Sequence, residues 1–77
     1  MNKLKDFRHQ VKATQKDIAD LVGVSQGTID RYESGVRGVS IPMAWKLISA
    51  LNSLGAKCSI ADVFPDSQIN HTDSAEQ

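Results

Sequence analysis

Apolar residues recur at helical spacing along most of the chain, and this pattern predicts five helices. In the first, over residues 2–12, Leu4, Phe7 and Val11 lie on one face between charged positions. The inward faces of the second and fourth helices are expected to consist of Ile18, Leu21 and Val22, and of Ala44, Leu47, Ile48, Leu51 and Leu54. The other elements are a third helix ending near Tyr32 and a short fifth helix over Ile60–Phe64, stopped by Pro65. The pattern therefore predicts an all-α fold.

Local signals mark where the second and third helices begin and end. Thr14 and Asp17 form a T-x-x-D capping box, in which each side chain satisfies a backbone N–H of the other residue. Gly23 follows where the second helix needs a left-handed residue, and Ser25 can cap the third helix. Two helices joined by a short Gly-containing turn, with apolar Val24 in it, form the unit that places its second helix in a DNA major groove.

The chain has 77 residues, which is enough for one small domain. We assign residues 1–65 to that domain and expect the polar segment 66–77 to be a disordered tail. The formal net charge is zero, but residues 1–46 hold eight Lys or Arg against five acids, and residues 47–77 hold one Lys against four acids. This distribution, +3 followed by −3, favours a weakly basic face on the half that carries the two-helix unit.

Several classes of function lack their sequence signals. The single cysteine, Cys58, cannot form an intramolecular disulfide, which is typical of a reducing cytoplasm. His9 and His71 stand far apart, and no phosphate-binding loop or nucleophile motif is present, so we expect no metal, no cofactor and no enzymatic activity. No apolar run approaches the length of a membrane span, and we expect no membrane association and no small-molecule ligand.

Eight residues between Gln15 and Tyr32 stand in the order typical of one known family. The chain resembles the lambda-repressor-like (Cro/XRE) helix-turn-helix family at Gln15, Ile18, Ala19, Val22, Gly23, Val24, Ile29 and Tyr32. The resemblance implies a compact five-helix DNA-binding domain whose second and third helices form the helix-turn-helix. It also implies an ion pair between Arg8 of the first helix and Glu33 at the end of the third.

The same resemblance implies that the third helix reads bases. If Ile29 and Tyr32 point inward, the helical repeat of 100° per residue directs Gly27, Asp30, Arg31 and Ser34 outward. The same repeat leaves Gln26 and Thr28 on the flanks. Glutamine suits the N6/N7 edge of adenine, and arginine suits guanine O6/N7 or a phosphate. The expected base-contacting residues are Gln26, Gly27, Thr28 and Arg31. Gly27 departs from the family pattern, because relatives often have a reading side chain there.

Phosphate contacts are implied for the start of the second helix and for the loop that follows the third. The expected residues are Gln15, Lys16, Ser34, Arg37 and Ser40. Arg37, which lies between two glycines, could instead reach the minor groove.

A domain this small offers few base contacts, so we expect a homodimer on double-stranded DNA with an inverted-repeat site. The candidate dimer residues are Trp45, Ile60, Val63 and Phe64. Simple packing is at least as good an explanation for Trp45, and the other three could instead close the core. The favoured function is a Cro-like repressor acting in the cytoplasm on the nucleoid. The alternatives are an antitoxin or protein-interaction adaptor with this fold, or a restriction–modification controller protein.

Overall fold

The fold is given by a computed structural model that describes residues 2–36 and 38–65. These residues form five helices, as the hydrophobic pattern predicted: α1 (Leu4–Gln10), α2 (Gln15–Val22), α3 (Gln26–Ser34), α4 (Ile41–Ser53) and α5 (Ile60–Val63). The fold is all-α. Arg37 and the expected tail, 66–77, lie outside the described residues.

The predicted caps form, and they set the boundaries of the central helices. The Thr14 hydroxyl accepts the N–H of Asp17 at 3.0 Å, and the Asp17 carboxylate accepts the N–H of Thr14 at 2.9 Å, which completes the capping box. Ser25 accepts from Thr28 N–H at 3.2 Å at the start of α3. Gly23 ends α2 with φ +80°, in the left-handed region. The turn between α2 and α3 is therefore encoded locally, residue by residue.

The helix α1 is shorter than the sequence predicted. It ends at Gln10, and Lys12 adopts a left-handed φ of +57°. The N–H of Lys12 bonds the carbonyl of His9 and that of Ala13 bonds the carbonyl of Arg8, so the chain closes a tight turn before α2. Val11 is therefore in a turn, where it still packs against the core.

The core lies where α2 packs against α3 and α4, with α1 and α5 closing it. Its largest fully buried side chains come from every helix, from the chain just before α4 and from the residue after α5: Leu4, Ile18, Ile29, Val39, Leu47, Leu51, Val63 and Phe64. Ala19 of α2 is almost completely buried, and its small side chain allows the helices to approach closely there. Close packing at this point holds α3 in one orientation against α2.

Two residues expected on inward stripes are exposed. The buried residues of α2 are Ile18, Ala19 and Val22, and Leu21 points roughly 100° away from their mean direction. Leu54 caps the C-terminus of α4 beyond its last turn and is also exposed. Trp45 of α4 is 60% exposed. Leu21, Leu54 and Trp45 therefore place apolar side chains at the surface.

The predicted dimer role of the last helix does not agree with its burial. Val63 and Phe64 are each 1% exposed, because α5 folds back onto the core and the N–H of Lys3 bonds the Val63 carbonyl at 2.8 Å. Neither side chain can therefore contact a partner while the domain is folded. Ile60 is partly buried against the core. Of the four candidate dimer residues, Trp45 alone is largely exposed.

Candidate nucleic-acid interface

The inner face of α3 is fixed by apolar packing and by one ion pair. Ile29 and Tyr32 are buried, and the Tyr32 carbonyl accepts the Asn2 amide at 2.6 Å. The predicted pair between Arg8 and Glu33 is present and largely buried: Nε donates to Oε2 at 2.5 Å and Nη2 donates to Oε1 at 3.2 Å. The bidentate geometry fixes the end of α3 relative to α1.

The outer face of α3 carries the predicted base-contacting residues. Gln26, Gly27 and Arg31 are exposed, and Thr28 is partly buried. Among the residues that the structure describes, none donates to or accepts from the Arg31 guanidinium. The Thr28 hydroxyl lies 2.9 Å from that of Ser25, within the cap of α3. The structure therefore brings Gln26, Gly27 and Arg31 to one accessible surface.

Gln15 connects α2 to α3 through three hydrogen bonds that sequence reasoning missed. Its side-chain Nε2 donates to Asp30 Oδ1 and to Glu33 Oε1, both at 3.1 Å. Its Oε1 accepts from Gln26 Nε2 at 3.4 Å. The Asp30 carboxylate is therefore held by Gln15 of α2. Gln15 was expected to contact phosphate, and its bonds place it directly beside Gln26.

The other predicted phosphate contacts have local partners. Lys16 Nζ lies 3.1 Å from Asp20 Oδ2 in an exposed i,i+4 pair, which contributes little to stability and can exchange for another anion. The Ser34 hydroxyl donates to the Arg31 carbonyl at 3.0 Å, and the Ser40 hydroxyl accepts the N–H of Met43 at 3.3 Å. Lys16 and Ser34 are exposed and Ser40 is half-buried. Arg37 lies outside the described residues.

Among residues 2–36 and 38–65, no contact requires glycine at position 27. A Cβ added at Gly27 would meet only the Ser25 hydroxyl, at 3.9 Å, and the φ angle is not in the left-handed region. Glycine lowers helix stability relative to alanine. Because Gly27 has no side chain, a binding partner can approach the backbone of α3 closely between Gln26 and Arg31.

A comparison with protein-family models identifies the family of the chain. The model of a helix-turn-helix family matches residues 4–55, which is more than half of the chain. The chain belongs to the Cro/C1-type helix-turn-helix family. It is accordingly a DNA-binding helix-turn-helix regulator whose motif is formed by α2 and α3. The second helix of this motif, here α3, is the one that is called the recognition helix. No curated protein and no solved structure matches the chain.

The match to the helix-turn-helix family covers α1 to α4 and stops at Gly55, before α5. The connection to α5 is closed by Asn52, whose side chain accepts the N–H of Cys58 at 3.1 Å and donates to its carbonyl at 3.2 Å. Cys58 is half-buried in this connection. The segment beyond the family match is therefore ordered by bonds to α4.

Outside α3, the described residues include no reactive thiol and no metal-binding group. Partial burial, assisted by Asp62, raises the pKa of the Cys58 thiol, so little reactive thiolate forms near neutral pH. Within 2–36 and 38–65, no group of His, Cys, Asp and Glu residues could hold a metal ion. None of the helices in these ranges has the length and hydropathy that crossing a membrane requires.

Proposed function

We propose that this protein is a sequence-specific transcriptional regulator, a Cro-like repressor that binds an inverted-repeat operator as a homodimer in the cytoplasm. The observation that carries the proposal is the two-sided recognition helix. One face of α3 is anchored by Ile29, Tyr32 and the Arg8–Glu33 pair, and the other presents Gln26 and Arg31 to solvent. A polar helix face held at a fixed orientation is what reading a major groove requires.

Gln26 and Arg31 have complementary roles in this proposal. The Gln26 amide both donates to and accepts from adenine. Its hydrogen bond to Gln15 already restricts its rotamers, so less side-chain entropy is lost when it binds a base. Arg31 makes the bidentate contact to guanine. Five residues of helix rise separate the two by about 7.5 Å, so they reach base pairs roughly two steps apart.

Phosphate contacts fix the register of the recognition helix. We assign them to Gln15, Lys16, Ser34, Arg37 and Ser40, with Lys16 exchanging its exposed Asp20 partner for a phosphate. The first turn of α2 adds backbone N–H groups and the positive end of a helix dipole. Binding should therefore weaken steeply as salt concentration rises.

Two copies are needed because one recognition helix contacts few base pairs. In a two-fold arrangement the half-sites lie about one helical turn, roughly 34–36 Å, apart. Repression follows from occupying promoter DNA in competition with polymerase, and no chemical step is involved.

Selection of bound duplexes from a random pool tests the proposal. We expect one half-site to recur as an inverted repeat. The Arg31→Ala variant should then lose about 1–3 kcal/mol of discrimination at one base pair. Lys57→Ala, which removes the same charge from the α4–α5 connection, is the matched control and should keep the preference. Failure to enrich any sequence, or equal loss in both variants, would refute sequence-specific reading.

A further inference from the structure

Asp30 is an exposed acid on the recognition helix, and it is not among the DNA-contacting residues of the proposed function. α3 contains two acids, Asp30 and Glu33. Glu33 is buried and pairs with Arg8. Asp30 is exposed, and it forms no salt bridge with any Lys or Arg among residues 2–36 and 38–65. Asp30 therefore supplies the only carboxylate that α3 presents to solvent.

The position of Asp30 within α3 does not explain why an acid stands there. Aspartate is a weak helix former, and acids stabilise a helix mainly in its first turn, near the positive end of the dipole. Asp30 is the fifth residue of α3 and lies beyond that turn. Its side-chain hydrogen bond goes to another helix, because Gln15 Nε2 of α2 donates to Asp30 Oδ1 at 3.1 Å. Among the described residues, no donor reaches Asp30 Oδ2.

Gln15 holds the Asp30 carboxylate on the side of α3 that also carries Gln26. The Gln15 side chain donates to Asp30 and accepts from Gln26 Nε2 at 3.4 Å. The helical repeat places Asp30 about 100° from Ile29 and about 160° from Tyr32, the buried residues that face the core. Asp30 therefore points away from the core beside Gln26, and its hydrogen bond restricts the carboxylate before any DNA is bound.

We propose that Asp30 is a specificity-determining residue, whose carboxylate accepts a hydrogen bond from the N4 amine of a cytosine in the operator. The inference rests on the proposed function, because it requires α3 to lie in a major groove. An ionised carboxylate can only accept hydrogen bonds, and the major-groove donors are cytosine N4 and adenine N6. Adenine presents the N7 acceptor beside its amine, whereas cytosine presents no second acceptor there, so cytosine suits a carboxylate better.

The same carboxylate acts against other bases. Docking removes water from Asp30, and a charged group that loses its water without gaining a donor is costly. Guanine O6 and thymine O4 are acceptors and supply no donor, so they are disfavoured at this position. The helical rise from Asp30 to Arg31 is about 1.5 Å, less than the roughly 3.4 Å between base pairs. The cytosine therefore lies on the base pair that Arg31 contacts or on an adjacent one.

Selection of duplexes with Asp30 variants tests this contact. Asp30→Ala should reduce the preference for cytosine at one base pair about tenfold. Asp30→Asn keeps an acceptor for Gln15 but offers the base an NH2 group, so it should shift the preference towards guanine or thymine. Asp6→Ala removes an exposed acid from α1, and as the control it should leave the preference unchanged. Circular dichroism establishes that the variants remain folded. An unchanged cytosine preference in Asp30→Ala would overturn the proposal.

N4-methylcytosine tests the contact from the DNA side. When it is paired with guanine, this base keeps the amine hydrogen that bonds guanine and carries a methyl group in place of the hydrogen exposed in the major groove. At the selected position it should weaken binding of the wild-type protein about tenfold and leave binding of Asp30→Ala unchanged. The same modification outside the half-site is the control. Equal weakening of both proteins would contradict a hydrogen bond to Asp30.

The position of the altered preference separates direct reading from an indirect effect. Asp30→Ala also removes an acceptor from Gln15, which bonds Gln26. A change confined to the base pair that depends on Gln26 would show that Asp30 acts through Gln15, and the cytosine contact would be rejected. An operator selected by the wild-type protein without any cytosine that depends on Asp30 would reject the contact and keep the regulator function. Failure to select any operator would reject the proposed function itself.

Discussion

Arg8→Met should destabilise the domain strongly, although Arg8 lies far from the exposed face of α3. In the folded protein the side chains of Arg8 and Glu33 are only 10% and 5% exposed. The Arg8 guanidinium also donates to the Ala13 carbonyl at 2.9 Å. Methionine preserves most of the aliphatic volume but removes all of these donors. Glu33 then keeps the Gln15 amide as its partner and remains a buried carboxylate without a cation.

The expected loss is a large fraction of the total stability. Removing one member of a buried ion pair costs about 3–5 kcal/mol, because the remaining charge is not compensated. For a chain of 77 residues, the free energy of unfolding is about 4–12 kcal/mol. Arg8→Met should therefore remove at least about a quarter of the free energy of unfolding, and it should unfold the domain if the wild-type value lies at the low end of this range.

Urea denaturation followed by circular dichroism measures this loss. The midpoint should fall while the slope stays similar. Lys5→Met, on the exposed side of α1, is the control and should change the free energy of unfolding by less than about 0.5 kcal/mol. The double variant Arg8→Met/Glu33→Met should be more stable than Arg8→Met alone, since no buried charge remains. A loss below about 1 kcal/mol for Arg8→Met, or no recovery in the double variant, would refute this reasoning.

Three further predictions concern the helix ends. Gly27→Ala should raise the melting temperature by about 2–4 °C, because alanine stabilises a helix by about 0.5 kcal/mol relative to glycine and its Cβ would make only ordinary contacts. A lower melting temperature would mean that the fold itself requires glycine there. Gly23→Ala should lower the free energy of unfolding, measured by urea denaturation, by about 1–2 kcal/mol. The cause is the positive φ alone, since a Cβ there would meet nothing within 4 Å, and an unchanged midpoint would contradict this. The backbone N–H of Thr14, followed by its hydroxyl, lowers the pKa of Asp17 below 3.8, so the capping box stabilises the fold above about pH 4 and loses this contribution as pH falls through the lowered pKa. Thr14→Ala should bring the pKa of Asp17 in an NMR titration part of the way back towards 3.8, and a pKa that stays unchanged would remove the hydroxyl from the explanation.

The helix boundaries were predictable where local backbone bonds set them. Thr14, Gly23 and Ser25 act within four residues of themselves, so their roles follow from the order of residues alone. The side of each helix that faces the core was harder to predict. Leu21 fits the spacing of a buried stripe, but the actual core direction of α2 is set by where α3 and α4 pack, and it favours Ala19 instead.

Side-chain networks between helices were the least predictable part of the candidate site. The ion pair of Arg8 and Glu33 was expected from family resemblance rather than from spacing. The bonds of Gln15 to α3 had no sequence signal, because glutamine at the start of a helix is equally suited to solvent, phosphate or a neighbouring side chain. The burial of Phe64 depended on how α5 folds back, which a four-residue helix does not encode by periodicity.

Arg8, Glu33, Gln15 and Gln26 form an unbroken series of hydrogen bonds from the interior of the domain to the exposed tip of α3. A replacement in the interior would therefore alter the rotamer freedom of a glutamine that we assign to base reading. A genetic screen for relaxed operator choice should accordingly recover substitutions at Arg8 as well as on the recognition helix. Some substitutions in α1 should therefore both destabilise the fold and change the preferred promoter sequence.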